Sequence, residues 1–197
     1  MSKVKITGDA SGTGTFTLTS PNSNTSRELV LPDNAGTLVS TGDQTVLQVV
    51  QDTFTSTFLT TSQTNVDTGL AVTITPRSTS SKILIMAKVD MAWDNAAAKC
   101  FIDLTRGDTP IFIGDSSGNK QQVTSAFYAA TDSNTGLATS VVYEDSPATT
   151  NATTYKIRMR RGDPQGTVGL NRGIDSWSDS SIFATSASSI IAMEISG

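Results

Sequence analysis

The sequence predicts an all-β chain: an antiparallel, jelly-roll-like β-sandwich preceded by an extended N-terminal β-arm. Three observations predict it. Apolar residues recur at every second position through about ten short runs, spaced about 8 to 15 residues apart and separated by turn residues. Ser and Thr make up roughly 28% of the 197 residues, which with 15 Gly and only 16% charged residues is a turn-rich, β-rich composition. No stretch carries the 3.6-residue period of a helix of three turns.

The first 45 residues form a module of their own. Short apolar alternations, Phe16 with Leu18 and Leu29 with Leu31, stand among Gly, Thr, Ser, Asn and Pro. Turn clusters at 20–26 and at Pro32, Asp33 and Asn34 separate them. Too few large apolar residues are present for this arm to fold alone, so its edges are expected to pair with a partner, with Phe16, Leu18, Leu29 and Leu31 as the contact residues.

Residues 46–197 read as the sandwich. It opens with VLQVVQ at 46–51, followed by 66–74 with Val66, Leu70, Val72 and Ile74 on one side. The longest run, 82–93, places Ile83, Ile85, Ala87, Val89, Met91 and Trp93 on one face and Lys88 and Asp90 on the other. Cys100, Ile102 and Leu104 point inward in the next run, which turns at 105–110 and is expected to return as IFIG, 111–114. Strands are expected within 121–130 and 137–145. Residues 155–160 alternate cleanly, Tyr155, Ile157 and Met159 on one face and Lys156, Arg158 and Arg160 on the other. Runs at 167–172, 180–186 and 188–196 complete the series. The last has apolar residues on both faces, and Ile191, Met193 and Ile195 are the expected interface between subunits.

Absences narrow the function. With no His, the chain has no Ser-His-Asp or Cys-His site, no imidazole metal ligand and no imidazole switch. A single cysteine, Cys100, leaves no intrachain disulfide, so burial, hydrogen bonds or association must hold the fold. A net charge of -4 offers no field for nucleic acid or an anionic membrane. The first residues carry two lysines with no apolar segment behind them and no run approaches a membrane span, so a soluble chain made without a signal peptide is expected. No catalytic group, cofactor or metal is expected. The three glutamates, Glu28, Glu144 and Glu194, are scattered rather than paired for glycoside cleavage, and the acidic stretches at 115–118, 132–136 and 175–179 lack the ligand spacing of a calcium loop.

Three features invite a functional reading. Arg106-Gly107-Asp108 and Arg161-Gly162-Asp163 sit between strands, where Gly suits a positive φ and Asp caps the turn, so turn chemistry is preferred to adhesion. Lys156, Arg158 and Arg160 form a basic stripe, either a solvated face or one that pairs with an acidic patch on a partner. Trp177, flanked by Ser and Asp, is the candidate for stacking on a sugar.

The segment GTGTFTLTSPNSNTSRELVLPDNAGTLVSTG resembles a short β-rich segment found near the N-termini of tail-fibre and other virion proteins of aquatic bacteriophages. The remainder, with VDTGLAVTITPRSTSSKILI, YEDSPATTNATTYKIRMRRGD and IIAMEISG, resembles small phage virion proteins with a trimeric jelly-roll head. The resemblance implies a non-enzymatic structural protein, assembled in the host cytoplasm and located in the virion. Its implied partners are two further copies of itself and the phage major capsid protein or tail components. Compact length, the lack of a heptad or long repeat and low aromatic content favour a capsid decoration or cement protein that binds between coat subunits and stabilises the head. The alternative is a tail-fibre or spike subunit recognising a host cell-surface receptor, such as a surface glycan.

Overall fold

A computed structural model describes residues 11–15, 17, 22–26, 46–94, 99–128, 135–172 and 184–197, and the account below is confined to them. The chain divides into two units, Met1–Leu38 and Val39–Gly197. The second contains every strand found among the described residues: β1 (Val46–Phe54), β2 (Phe58–Thr60), β3 (Val66–Ile74), β4 (Lys82–Trp93), β5 (Lys99–Arg106), β6 (Thr109–Pro110), β7 (Ser125–Tyr128), β8 (Thr135–Asp145), β9 (Thr153–Arg161), β10 (Val168–Leu170) and β11 (Ser188–Ile195). No helix occurs among the described residues, and the expected all-β architecture of two antiparallel sheets is what forms.

In the first sheet β4 is central. β8 runs along one of its edges from end to end, while β11 and then β10 share the other. β1 lies outside β11 and β2 outside β10. The second sheet has the order β3, β9, β5, with β6 and β7 sharing the far edge of β5. Alternation decides what lies between the sheets. Ile83, Ile85, Val89 and Met91 of β4 and Ile190 and Ala192 of β11 meet Leu70 and Ile74 of β3, Ile102 and Leu104 of β5 and Tyr155, Ile157 and Met159 of β9 in one core. Each large apolar side chain withdrawn from water there contributes about 1.5–3 kcal/mol.

Two edges are built from collinear pieces with an excursion between them. Opposite β4, the chain leaves at Asn171 and re-enters at Ser188. Asn171, fully buried and left-handed at φ 61°, stands in the gap. Its N–H donates to Asp90 O at 3.0 Å, its carbonyl accepts from Ser186 N–H at 3.1 Å, and Nδ2 donates to Phe54 O at 2.6 Å and Ser56 O at 3.0 Å, where β1 gives way to β2. Every polar group of this buried residue is partnered, as burial demands.

Opposite β5, the ladder is interrupted between β6 and β7. The run 111–114 is therefore not the expected returning strand: Thr109 and Pro110 pair with β5, Ile111 N–H adds one bond to Leu104 O at 3.0 Å, and the chain then departs. Thr124 spans the gap, its Oγ1 accepting from Leu104 N–H at 2.8 Å and donating to Phe112 O at 2.5 Å.

Candidate functional site

The outward-facing side of the first sheet is unusually apolar. Residues opposite one another in an antiparallel pair share a face, so Ile191 lies beside Met86, Met193 between Leu84 and Val49, and Ile195 beside Val46. Beyond Met86 stands Val142 of β8. Their chain neighbours Ile190 and Ala192 are fully buried in the core, which fixes Ile191, Met193 and Ile195 on the opposite face, half-buried. Val142 is 58% exposed, Val49 54% and Val46 44%. Eight aliphatic or thioether side chains from four strands thus adjoin, bordered by the Lys82–Glu144 ion pair at 2.7 Å, by Gln51 and by Lys88. A contiguous apolar patch with a polar rim is the usual form of a protein contact surface.

The outward side of the second sheet is built of charge. Lys156, Arg158 and Arg160 share that face of β9, and each meets a carboxylate of its own chain. Asp67 accepts from Lys156 Nζ at 2.9 Å and Arg158 Nε at 2.5 Å. Asp108 pairs with the same two cations. Arg160 Nη1 donates to Asp103 Oδ2 at 2.9 Å and Asn65 Oδ1 at 2.7 Å. The hydrogen bond from Lys156 holds the Asp67 carboxyl below its ordinary range, with Arg158 adding to the effect, and the two aspartates raise Lys156 in return. Phe101, Asp103 and Thr105 lie on this side of β5 and are buried there, so β5 is covered on both faces.

Both RGD triplets are absorbed into turns. Arg106 Nη1 donates to the buried Asp145 carboxylate at 3.0 and 3.1 Å, Gly107 takes φ 58° and Asp108 joins the ion-pair lattice. In the second, Arg161 Nη1 donates to Gly166 O at 2.9 Å and Asp163 accepts from Gln165 N–H at 3.1 Å. Gly162 corrects one expectation. It does not adopt a positive φ; it is required because an added Cβ would fall 2.5 Å from the Phe101 ring and 2.8 Å from Lys99 Cβ.

Two buried carboxylates carry no sequence signal of their own. Asp145 accepts from Tyr155 Oη at 2.8 Å as well as from Arg106. Burial, then the hydrogen bond to Asp145, pushes the Tyr155 phenol far above its ordinary range. Glu194, fully buried, accepts from Gln48 Nε2 at 2.5 Å and Arg77 N–H at 2.6 Å. Burial alone would raise its carboxyl, but Ser81, Gln48 and the Arg77 N–H outweigh it and hold it below the usual range. Burial also pushes the Cys100 thiol up to about 12, which leaves it protonated and unreactive in the fold.

Among the described residues no group of three metal-ligating side chains converges. Phe16, Leu18, Leu29, Leu31 and Trp177 lie outside the described residues. A scan against models of protein families matches none of them to this chain, and a search of curated proteins returns no match.

Proposed function

We propose that this chain is a non-enzymatic structural protein of a bacteriophage virion, a homotrimeric capsid decoration protein that binds between coat subunits and stabilises the head. The observation that carries the reading is the apolar outer face of the first sheet, where Ile191, Met193 and Ile195 offer an apolar contact surface to further copies. Strand order supports a jelly roll: β1, β11, β4, β8 in one sheet and β3, β9, β5, β7 in the other is the order two interleaved Greek keys produce, an architecture common in viral coats. The resemblance of the N-terminal segment to virion proteins supplies the particle. A structural role is further supported by the carboxylates of Asp103, Asp145 and Glu194, each saturated by donors that tie strands together.

The test is immunogold labelling of intact virions with antibody against the chain. Gold distributed over the head is the expected result. Gold confined to the tail or its fibres would transfer the protein to the receptor-binding alternative, and unlabelled particles would end the virion reading.

A further inference from the structure

We propose that the outer surface of the second sheet carries a saccharide-binding cleft, an inference independent of the assembly reading above. The cleft, about 510 Å³, lies over β5 and β9 between the turn at 63–65 and the excursion at 112–123, a size suited to a small organic ligand. Its floor is a closed ring of hydrogen bonds. Asn65 Nδ2 donates to Asp103 Oδ2 at 2.5 Å, and Arg160 Nη1 donates both to that oxygen and to Asn65 Oδ1. Thr124 N–H adds a donor to Asp103 Oδ1 at 3.3 Å, and the guanidinium lies 5.3 Å from the centre of the Phe101 ring. Asp103 is 2% exposed and Arg160 9%, so the three side chains hold one another in place before any ligand arrives. Groups ordered during folding cost nothing further to order on binding.

The walls determine the ligand class. Gln63 and Gln121 present amides, each with two donors and an acceptor; Gln122 presents the rest of an amide whose Nε2 also donates to Gly114 O at 2.8 Å, and Thr64 a hydroxyl that pairs with Ser62 Oγ at 3.0 Å. Lys120 supplies the one ammonium, while Pro110 and Ile113 provide small apolar surfaces. An apolar ligand would strand the amides without partners. An anion such as phosphate would meet Arg160 already neutralised by Asp103, leaving Lys120 alone to attract it. A ligand bearing several hydroxyls satisfies every wall, because each hydroxyl both donates and accepts, and its C–H face can rest on Pro110 and Ile113. With no aromatic platform in the lining, hydrogen bonds to the Gln amides carry the affinity.

The test is saturation-transfer difference NMR on the full chain with the methyl glycosides of glucose, galactose, mannose and N-acetylglucosamine as probes. At least one sugar is expected to receive saturation. Its affinity should fall about tenfold in the Gln63→Ala/Gln121→Ala double variant, since both residues are exposed and removable without touching the core. Lys120→Ala gives an independent reading from the same wall. Absence of transfer to all four sugars, transfer unchanged in both variants, or displacement by inorganic phosphate at equal concentration would each overturn the proposal.

Discussion

Ser188 donates its hydroxyl to Asn171 Oδ1 at 2.7 Å, joining two residues 17 positions apart at the points where one strand stops and its continuation begins. The same Oγ accepts from Asp90 N–H at 3.0 Å, and Asn171 N–H donates to Asp90 O. Asp90 therefore finds both of its backbone partners across an interrupted ladder. The interruption costs the sheet no hydrogen bond at this position, which is why a break can sit beside the central strand.

Asn171→Ala removes the donors to Phe54 O and Ser56 O and the acceptor for Ser188, and keeps the Cβ at a left-handed φ without the side-chain hydrogen bonds that offset its strain. The expected loss is about 3 kcal/mol. Asn171→Gly relieves the backbone part alone, so it should recover about 1 kcal/mol of that loss. Urea denaturation of the two variants beside the parent measures the difference; equal stability of Ala and Gly would remove the backbone argument.

Met193→Glu and Ile191→Glu place charge in the middle of the outer apolar face while leaving Ile190 and Ala192 in the core. The native chain is expected to show three times the protomer mass by light scattering, and either variant the protomer mass. Lys156→Glu, on the other outer face, should leave the mass unchanged. A native chain that is itself monomeric in solution would end the trimer proposal.

Glu194 sets an acid limit on stability. Its folded carboxyl titrates below the ordinary value of 4.5 that it has when unfolded. Above that value both states are ionised and its contribution is complete. As pH falls from there through the lower folded value the unfolded state binds the proton first, and the contribution is lost. Thermal melts at pH 7 and near pH 3 should therefore differ more for the parent than for Glu194→Gln, which is destabilised at pH 7 but carries no titration at that site.

Gly162→Ala and Gly107→Ala test two different reasons for the same residue. At Gly162 the new methyl meets the Phe101 ring and Lys99 Cβ, and overpacking of this kind costs about 1–3 kcal/mol. At Gly107 there is open space, and only the positive φ is penalised, by about 1 kcal/mol. Urea midpoints should fall in both, and further in Gly162→Ala.

Period-2 patterning makes β4 and β9 legible, because each alternates against a core on one side over most of its length, until Ala92 in β4 and Arg160 in β9 are buried on the other face. β5 was harder to read. Its inward set, Cys100, Ile102 and Leu104, shows in the pattern, but the burial of Asp103 depends on Arg160 and Asn65, which lie 57 and 38 positions away. The basic stripe was visible as an alternation, while its carboxylate partners were not: Asp67 is 89 positions from Lys156, and Asp108 is 48. The run at 111–114 has the composition of a strand yet leaves the sheet after Ile111, since nothing local announces that Thr124 will take over the ladder from there. Gly162 shows the same limit: an RGD turn suggests a backbone requirement, and the actual requirement is space beside an aromatic ring.

Because Ile111 N–H donates to Leu104 O while Thr124 accepts from Leu104 N–H and donates to Ile102 O, the ladder is completed from both ends of the gap, and the sheet does not register how many residues intervene between Ile111 and Thr124. Lengthening that excursion adds only the slowly growing entropy of a longer loop, about 0.6 kcal/mol for each doubling. Lys120, Gln121 and Gln122 belong to it, so the residues that would choose a ligand are inherited separately from those that hold the sandwich together. Selection could rewrite the wall of the cleft, by insertion as readily as by substitution, while leaving the architecture beneath it unaltered.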